Sequence, residues 1–195
     1  MSAAYYGQQE DDERAKRVHV DRATAREPGD DGVRGRSPRE AMSALDVSRL
    51  SPDDVVAALR SFPRRFRELV ASVPPEELPA EVADHIDHVG RSIGLLAESM
   101  RQVLTQDHPT LLPAVIDDNG REWAHAGSSS VDDLLHFLDV ECTAMADAVA
   151  HTPSDAWTRT GTVAGAGRDI SALDVAREAV RTGSDHLRAA ERLID

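Results

Sequence analysis

Between Val82 and Val103 the large apolar residues recur at alternating steps of four and three: Val82, Ile86, Val89, Ile93, Leu96, Met100 and Val103. That rhythm lays one stripe along an α-helix and fits no strand, because a helix returns to the same face about every 3.6 residues and a strand about every second residue. A helix with one long apolar stripe must bury it against other elements, so the segment commits its neighbours to a helical assembly. It also carries two histidines. At about 100° per residue, His85 falls within about 40° of Val89, inside the stripe, while His88 falls about 100° away, on its rim. Burying an imidazole is costly unless its nitrogens find a proton partner or a metal ion. His85 therefore reads as either a satisfied core histidine or a ligand.

The same rhythm appears three more times. Ser51-Pro52-Asp53-Asp54 is a helix start, with Ser at the cap, Pro at the first helical position and acid in the first turn. The stripe behind it is Val55, Leu59, Phe62, Phe66, Leu69 or Val70, and Val73, with Pro63 expected to kink it and Pro74-Pro75 to end it. Arg60, Arg64, Arg65 and Arg67 read as a solvated face. Ser130 with Asp133 opens a third helix, striped by Val131, Leu135, Leu138, Cys142, Met145 and Val149 and stopped by Thr152-Pro153. Ser171 with Asp174 opens a fourth, running to about Ile194, with His186 inside a broad apolar face and Thr182 nearer its edge. No strand-like alternation competes, so the expected fold is all-α, a four-helix up-down bundle. Thr105 to Ser130 makes a long connection between the second and third helices, with Leu111, Leu112, Val115, Ile116 and Trp123 as apolar anchors and His108 and His125 as loop histidines.

Residues 1–47 show no periodicity and mix charges in runs such as Glu10-Asp11-Asp12-Glu13, so a disordered extension is expected there, ahead of a bundle domain over 48–195. Met42 is an alternative start. The net charge of −13 argues against nucleic-acid and anionic-membrane partners, which need clustered Lys and Arg. No apolar run approaches the roughly 20 residues of a membrane span, and the N-terminus lacks a signal-peptide core. Cys142 is the only cysteine; it excludes an internal disulfide and, lying in a stripe, reads as core and not as a nucleophile. The expected location is the cytoplasm. A homodimer through a helix face and a small-molecule ligand are the partners that remain open.

Two histidines on inner faces of two bundle helices, His85 and His186, form the arrangement by which such bundles hold metal ions. A catalytic divalent site needs a third protein ligand. The candidates are Thr182, one turn before His186 but a poor ligand; Asp185, rotated about 100° from His186; Glu178, two turns before it; and His88.

The segment Leu78 to Arg91 with His85-Ile86-Asp87, the segment Asp155-Ala156-Trp157, and Leu173 to Val180 closing in Asp185-His186-Leu187-Arg188 resemble the DinB-like superfamily over about Ser51 to Asp195. That family holds YfiT-type metal-dependent hydrolases and mycothiol- or bacillithiol-dependent transferases. The resemblance implies a four-helix bundle with a three-ligand divalent site, in which His85 matches the second-helix ligand and His186 the last. The remaining ligand position falls on Thr182, or on Arg181 if the match slips by one, and neither is His or Glu. A degenerate triad should bind metal weakly or not at all, since affinity depends on a complete and oriented shell. The expectation is thus a DinB-like bundle of unassigned chemistry with a weak or lost divalent-metal site. The alternative is an enzyme, a hydrolase or thiol S-transferase, using Zn, Ni, Fe or Mn on His85 and His186, with a low-molecular-weight thiol as a further cofactor.

Overall fold

Three serines set three of the four long helices. In the computed structural model, Ser51 caps α1 (Pro52–Val70), where its hydroxyl accepts from the Asp54 amide while the Asp54 carboxylate accepts from the Ser51 amide at 2.9 Å. Ser130 and Ser171 accept from the amides of Asp133 and Asp174 at the heads of α3 (Val131–Ala150) and α4 (Ala172–Ile194). Each such cap stabilises its helix by about 1 kcal/mol. α2 (Ala80–Thr105) follows Pro79 without a side-chain cap, so its stability rests on the stripe it buries. α1 continues through Pro63, which is buried within it. The structure describes residues 46–121 and 129–195, all of them in the compact unit Ser43–Asp195. The expected N-terminal extension up to residue 45, the alternative start at Met42, and the loop residues Trp123 and His125 lie outside the described residues. Val47, counted with the extension from its sequence, is buried in the core.

The result is a four-helix bundle whose stripes meet as expected: Leu59, Phe66, Ile86, Ile93, Leu138 and Leu187 are all within its core. α1 packs against α3 and α4, and α2 packs against the same two helices. Arg60 meets Asp147 and Arg67 meets Asp139, so α1 and α3 run in opposite directions. Arg177 reaches Leu50 O and Arg65 meets Glu191, so α1 and α4 run the same way. Gly90 faces Phe137 and Gly94 faces Glu141, so α2 and α3 also run the same way. Alternation of direction holds from α1 to α2 and from α3 to α4 and gives way between α2 and α3. The connection over 106–130 makes this possible: α2 spans about 39 Å, a distance that about 12 extended residues cover. These interhelical arginine pairs are exposed, as expected for a solvated face, and contribute little each.

The expectation of no strands is corrected. β1 (Thr110–Leu111) pairs in parallel with β2 (Thr160–Val163), and β2 pairs antiparallel with β3 (Arg168–Ser171). Strands of two to four residues are too short to show alternation in sequence. Gly165 and Gly167 take positive φ in the β2–β3 turn, where glycine carries no steric penalty. The sheet ties the long connection to the segment before α4, with Leu111, Val115 and Val163 buried beneath it. Leu112, expected as a further anchor, is exposed. No helix among the described residues is long and apolar enough to cross a membrane.

Two measurements check this packing. A Cβ at Gly183 would come within 2.5 Å of the Phe62 ring, which is itself buried between α1 and α4. Gly183→Ala is expected to cost about 1–3 kcal/mol, lowering the melting temperature by about 3–10 °C; an unchanged or higher melting temperature would contradict the α1–α4 contact. Burial, aided by Asp139 and Glu141, pushes the Cys142 thiol up to about 12. The folded protein at pH 8 should therefore leave Ellman's reagent unreacted, and release one equivalent of thiol only in denaturant.

Candidate metal centre

α2 and α4 pack side by side, and their contact carries a polar seam in an otherwise apolar interior. From α2 come His85 and His88; from α4 come Glu178, Thr182 and His186, spaced four residues apart and therefore on one face. From the connection come Asp118, the first residue of the 3-10 turn Asp118–Gly120, and Arg121, which directly follows it.

The three strands of chain meet at the Asp118 carboxylate. One oxygen lies 3.0 Å from His186 Nε2, and the other lies 3.3 Å from His88 Nε2. The second oxygen also accepts from the Arg121 guanidinium at 2.7 Å. Hydrogen bonds from His186 and His88, with the charge of Arg121, hold the Asp118 carboxyl well below the usual carboxylate range despite partial burial. An ionised carboxylate only accepts, so both Nε2 atoms carry the proton when the network is closed by hydrogen bonds alone. His186 then turns an unprotonated Nδ1 toward His85, whose Nδ1 lies 2.9 Å away and donates to it. Burial, with the neighbouring rings of His186 and His88, lowers the His85 pKa and favours its neutral form.

Among the described residues, His88, Asp118 and His186 form a group whose ligand atoms all lie within 4.8 Å of one another. Two atoms each about 2.0–2.2 Å from one ion, at about 90–110° to each other, stand about 2.8–3.6 Å apart. The 3.0 Å between His186 Nε2 and the Asp118 oxygen facing it falls in that window, and His88 completes a group whose ligand atoms lie within reach of one another. Two imidazole nitrogens and a carboxylate oxygen are also a donor set that divalent transition metals accept. The residues fit a metal ion. Access lies on the Asp118 side, since its side chain is 39% exposed while that of His88 is 1% exposed.

The sequence-predicted residues are distributed as follows. His186 is in the group. His85 touches His186 but stands outside the group, and the helical-wheel placement of the two α2 histidines is reversed: His88 is buried and His85 half-buried. The reason is the connection, which crosses α2 at Pro113–Val115 and brings Asp118 over His88, widening the buried face beyond the stripe. Thr182 is not directed at the ligand atoms as a donor of its own; its hydroxyl accepts from Arg121 at 2.6 Å. Glu178 pairs with Arg121 and Arg181. Asp185 is exposed and pairs with Arg188 across one turn.

Asp118 and Arg121 are the two residues that sequence reasoning missed. They belong to no stripe, and the available signal was the turn sequence Asp117-Asp118-Asn119-Gly120 followed directly by Arg121.

No family model matches the chain, and no curated protein resembles it in sequence. Among solved structures it is similar to YfiT from Bacillus subtilis, described as a probable metal-dependent hydrolase with an unusual four-helix bundle topology, with a TM-score of 0.59 and 14% identity over 73% of this chain and 86% of that one. The likeness shows a YfiT-like four-helix bundle fold.

Proposed function

We propose that this protein binds a divalent transition metal on His88, Asp118 and His186 and uses it for hydrolysis. The observation that carries the reading is the convergence of three ligand atoms, from two helices and a loop, within 4.8 Å at the edge of the core. The fold likeness to a probable metal-dependent hydrolase supports it. A bound ion would supply an activated water and polarise the bond to be cleaved.

The chain's own residues have separate tasks. His88 and His186 would hold the ion through ring nitrogens, and Asp118 through its carboxylate. His85 receives the proton on His186 Nδ1, which fixes the ring and raises its basicity, the role of an outer partner and not of a ligand. The open side at Asp118 admits substrate and water. Zn, Ni, Fe and Mn suit imidazole with one carboxylate.

A second reading is a scaffold that keeps the network without an ion. Arg121 favours it, because a buried guanidinium already balances Asp118 and Glu178.

Differential melting separates the two. With zinc at about 100 times its Kd, stability should rise by about 2.7 kcal/mol, which moves the melting temperature by about 5–10 °C. The gain should vanish in His88→Ala and in His186→Ala, while His85→Ala should need about 10–100 times more metal for the same shift. Chelator-sensitive cleavage of ester or amide substrates in a screen then identifies the hydrolase. Indifference of the wild type to zinc, nickel, iron and manganese would leave the scaffold reading in place.

A further inference from the structure

Asp118 is carried by a connection, yet its carboxylate must meet two helix-borne imidazoles within a few tenths of an ångström. The residue that makes this possible is Arg121, whose side chain is 3% exposed. Its Nε donates to Ala114 O at 2.8 Å and one terminal nitrogen to Val115 O at 3.2 Å, folding the connection back on itself. The same nitrogen reaches Glu178 on α4 at 3.4 Å. The other terminal nitrogen donates to Thr182 at 2.6 Å and to Asp118 at 2.7 Å. One planar group thus joins the connection to α4 and to the carboxylate. A lysine, with a single charged nitrogen, cannot serve all these acceptors at once.

We infer that Arg121 is a positioning residue that docks the connection on α4, aims Asp118 at His88 and His186, and restricts Asp118 to a single oxygen toward a metal ion. The last part follows from which oxygen is taken. The oxygen near His88 already accepts from Arg121, so the oxygen near His186 is the one left to an ion. A carboxylate held to one oxygen disfavours ions that seek oxygen-rich coordination and favours those content with imidazole, zinc over manganese. This part rests on the metal reading above; the docking part does not.

The test has one ion-free arm and one metal arm. In ion-free, isotope-labelled full-length protein, proton–nitrogen NMR should show hydrogen-bonded Nε2–H signals for His88 and His186. They should persist in Glu178→Gln, exchange faster in Arg121→Lys, and disappear in Arg121→Met, with helix content by circular dichroism confirming that each variant is folded. Persistence of the signals in Arg121→Met overturns the docking role. So does their absence from the wild type. If Arg121→Met does not fold, Arg121→Lys decides alone, and unaltered exchange in it overturns the inference. In the metal arm, Arg121→Lys and any folded Arg121→Met should bind zinc about 10–100-fold more weakly than wild type, with the preference for zinc over manganese narrowed. Equal loss for both ions overturns the selectivity role and leaves Arg121 as a structural anchor. A wild type that binds neither ion overturns the proposed function, while the NMR arm still decides whether Arg121 docks Asp118.

Discussion

His186 imposes the constraint on which the polar seam is built. Its ring is buried on α4, and both nitrogens need partners; an unmade bond at such a site costs about 1–3 kcal/mol. The structure meets the two demands from different directions, with His85 of α2 at Nδ1 and Asp118 of the connection at Nε2. Helix packing alone supplies only the first. The second requires that a loop return to the seam with a carboxylate, and a half-buried carboxylate in turn is stabilised by positive charge or donors beside it. Arg121 answers that demand, and Thr182 and Glu178 answer the demand of Arg121. Each polar residue therefore answers a bonding demand of the one before it.

That chain of dependence explains how much could be read from the residues. The helices were legible because caps and stripes are local: Ser51, Ser130 and Ser171 each announce a helix within four residues, and the stripe from Val82 to Val103 names its own buried side. The meeting of His85 with His186 was legible for the same reason, as both lie near stripes that must face each other. Asp118 and Arg121 were not. Their roles come from where a long connection lands, which depends on tertiary contact and leaves no period in sequence. The error over His88 has the same origin, since a helical wheel sees only the stripe, and the connection buried a neighbouring strip of α2.

The direction of the helices follows from that connection too. A short turn between α2 and α3 would have reversed the chain and kept Asp118 and Arg121 away from the α2–α4 seam. The parallel run of α2 and α3 obliges the chain to travel back along the bundle, and β1 holds it to β2 on the way. Thr110 and Leu111 are pinned to Thr162 and Val163, so the stretch that follows has a fixed origin from which to place Asp118. The small sheet, which contributes little to the core, serves as the anchor for the loop that completes the candidate centre.

The same coordinates support a closed hydrogen-bond network and a metal shell because the two have similar dimensions. Replacing two Nε2 protons by one ion changes which atom sits between the donors while leaving the donors about 3 Å apart. What differs is charge. The ion-free network holds Asp118 and Glu178 against Arg121, whereas an added divalent ion would bring two positive charges beside a buried guanidinium. The two negative groups can absorb part of that excess, and Asp118 is near enough to both cations to do so. Glu178 lies against Arg121 on the side of Arg181, and it offsets the guanidinium without entering the group of ligand atoms. The second carboxylate is thus the feature that would let one pocket of charge serve both states, since without it the guanidinium would oppose an ion at the proposed site.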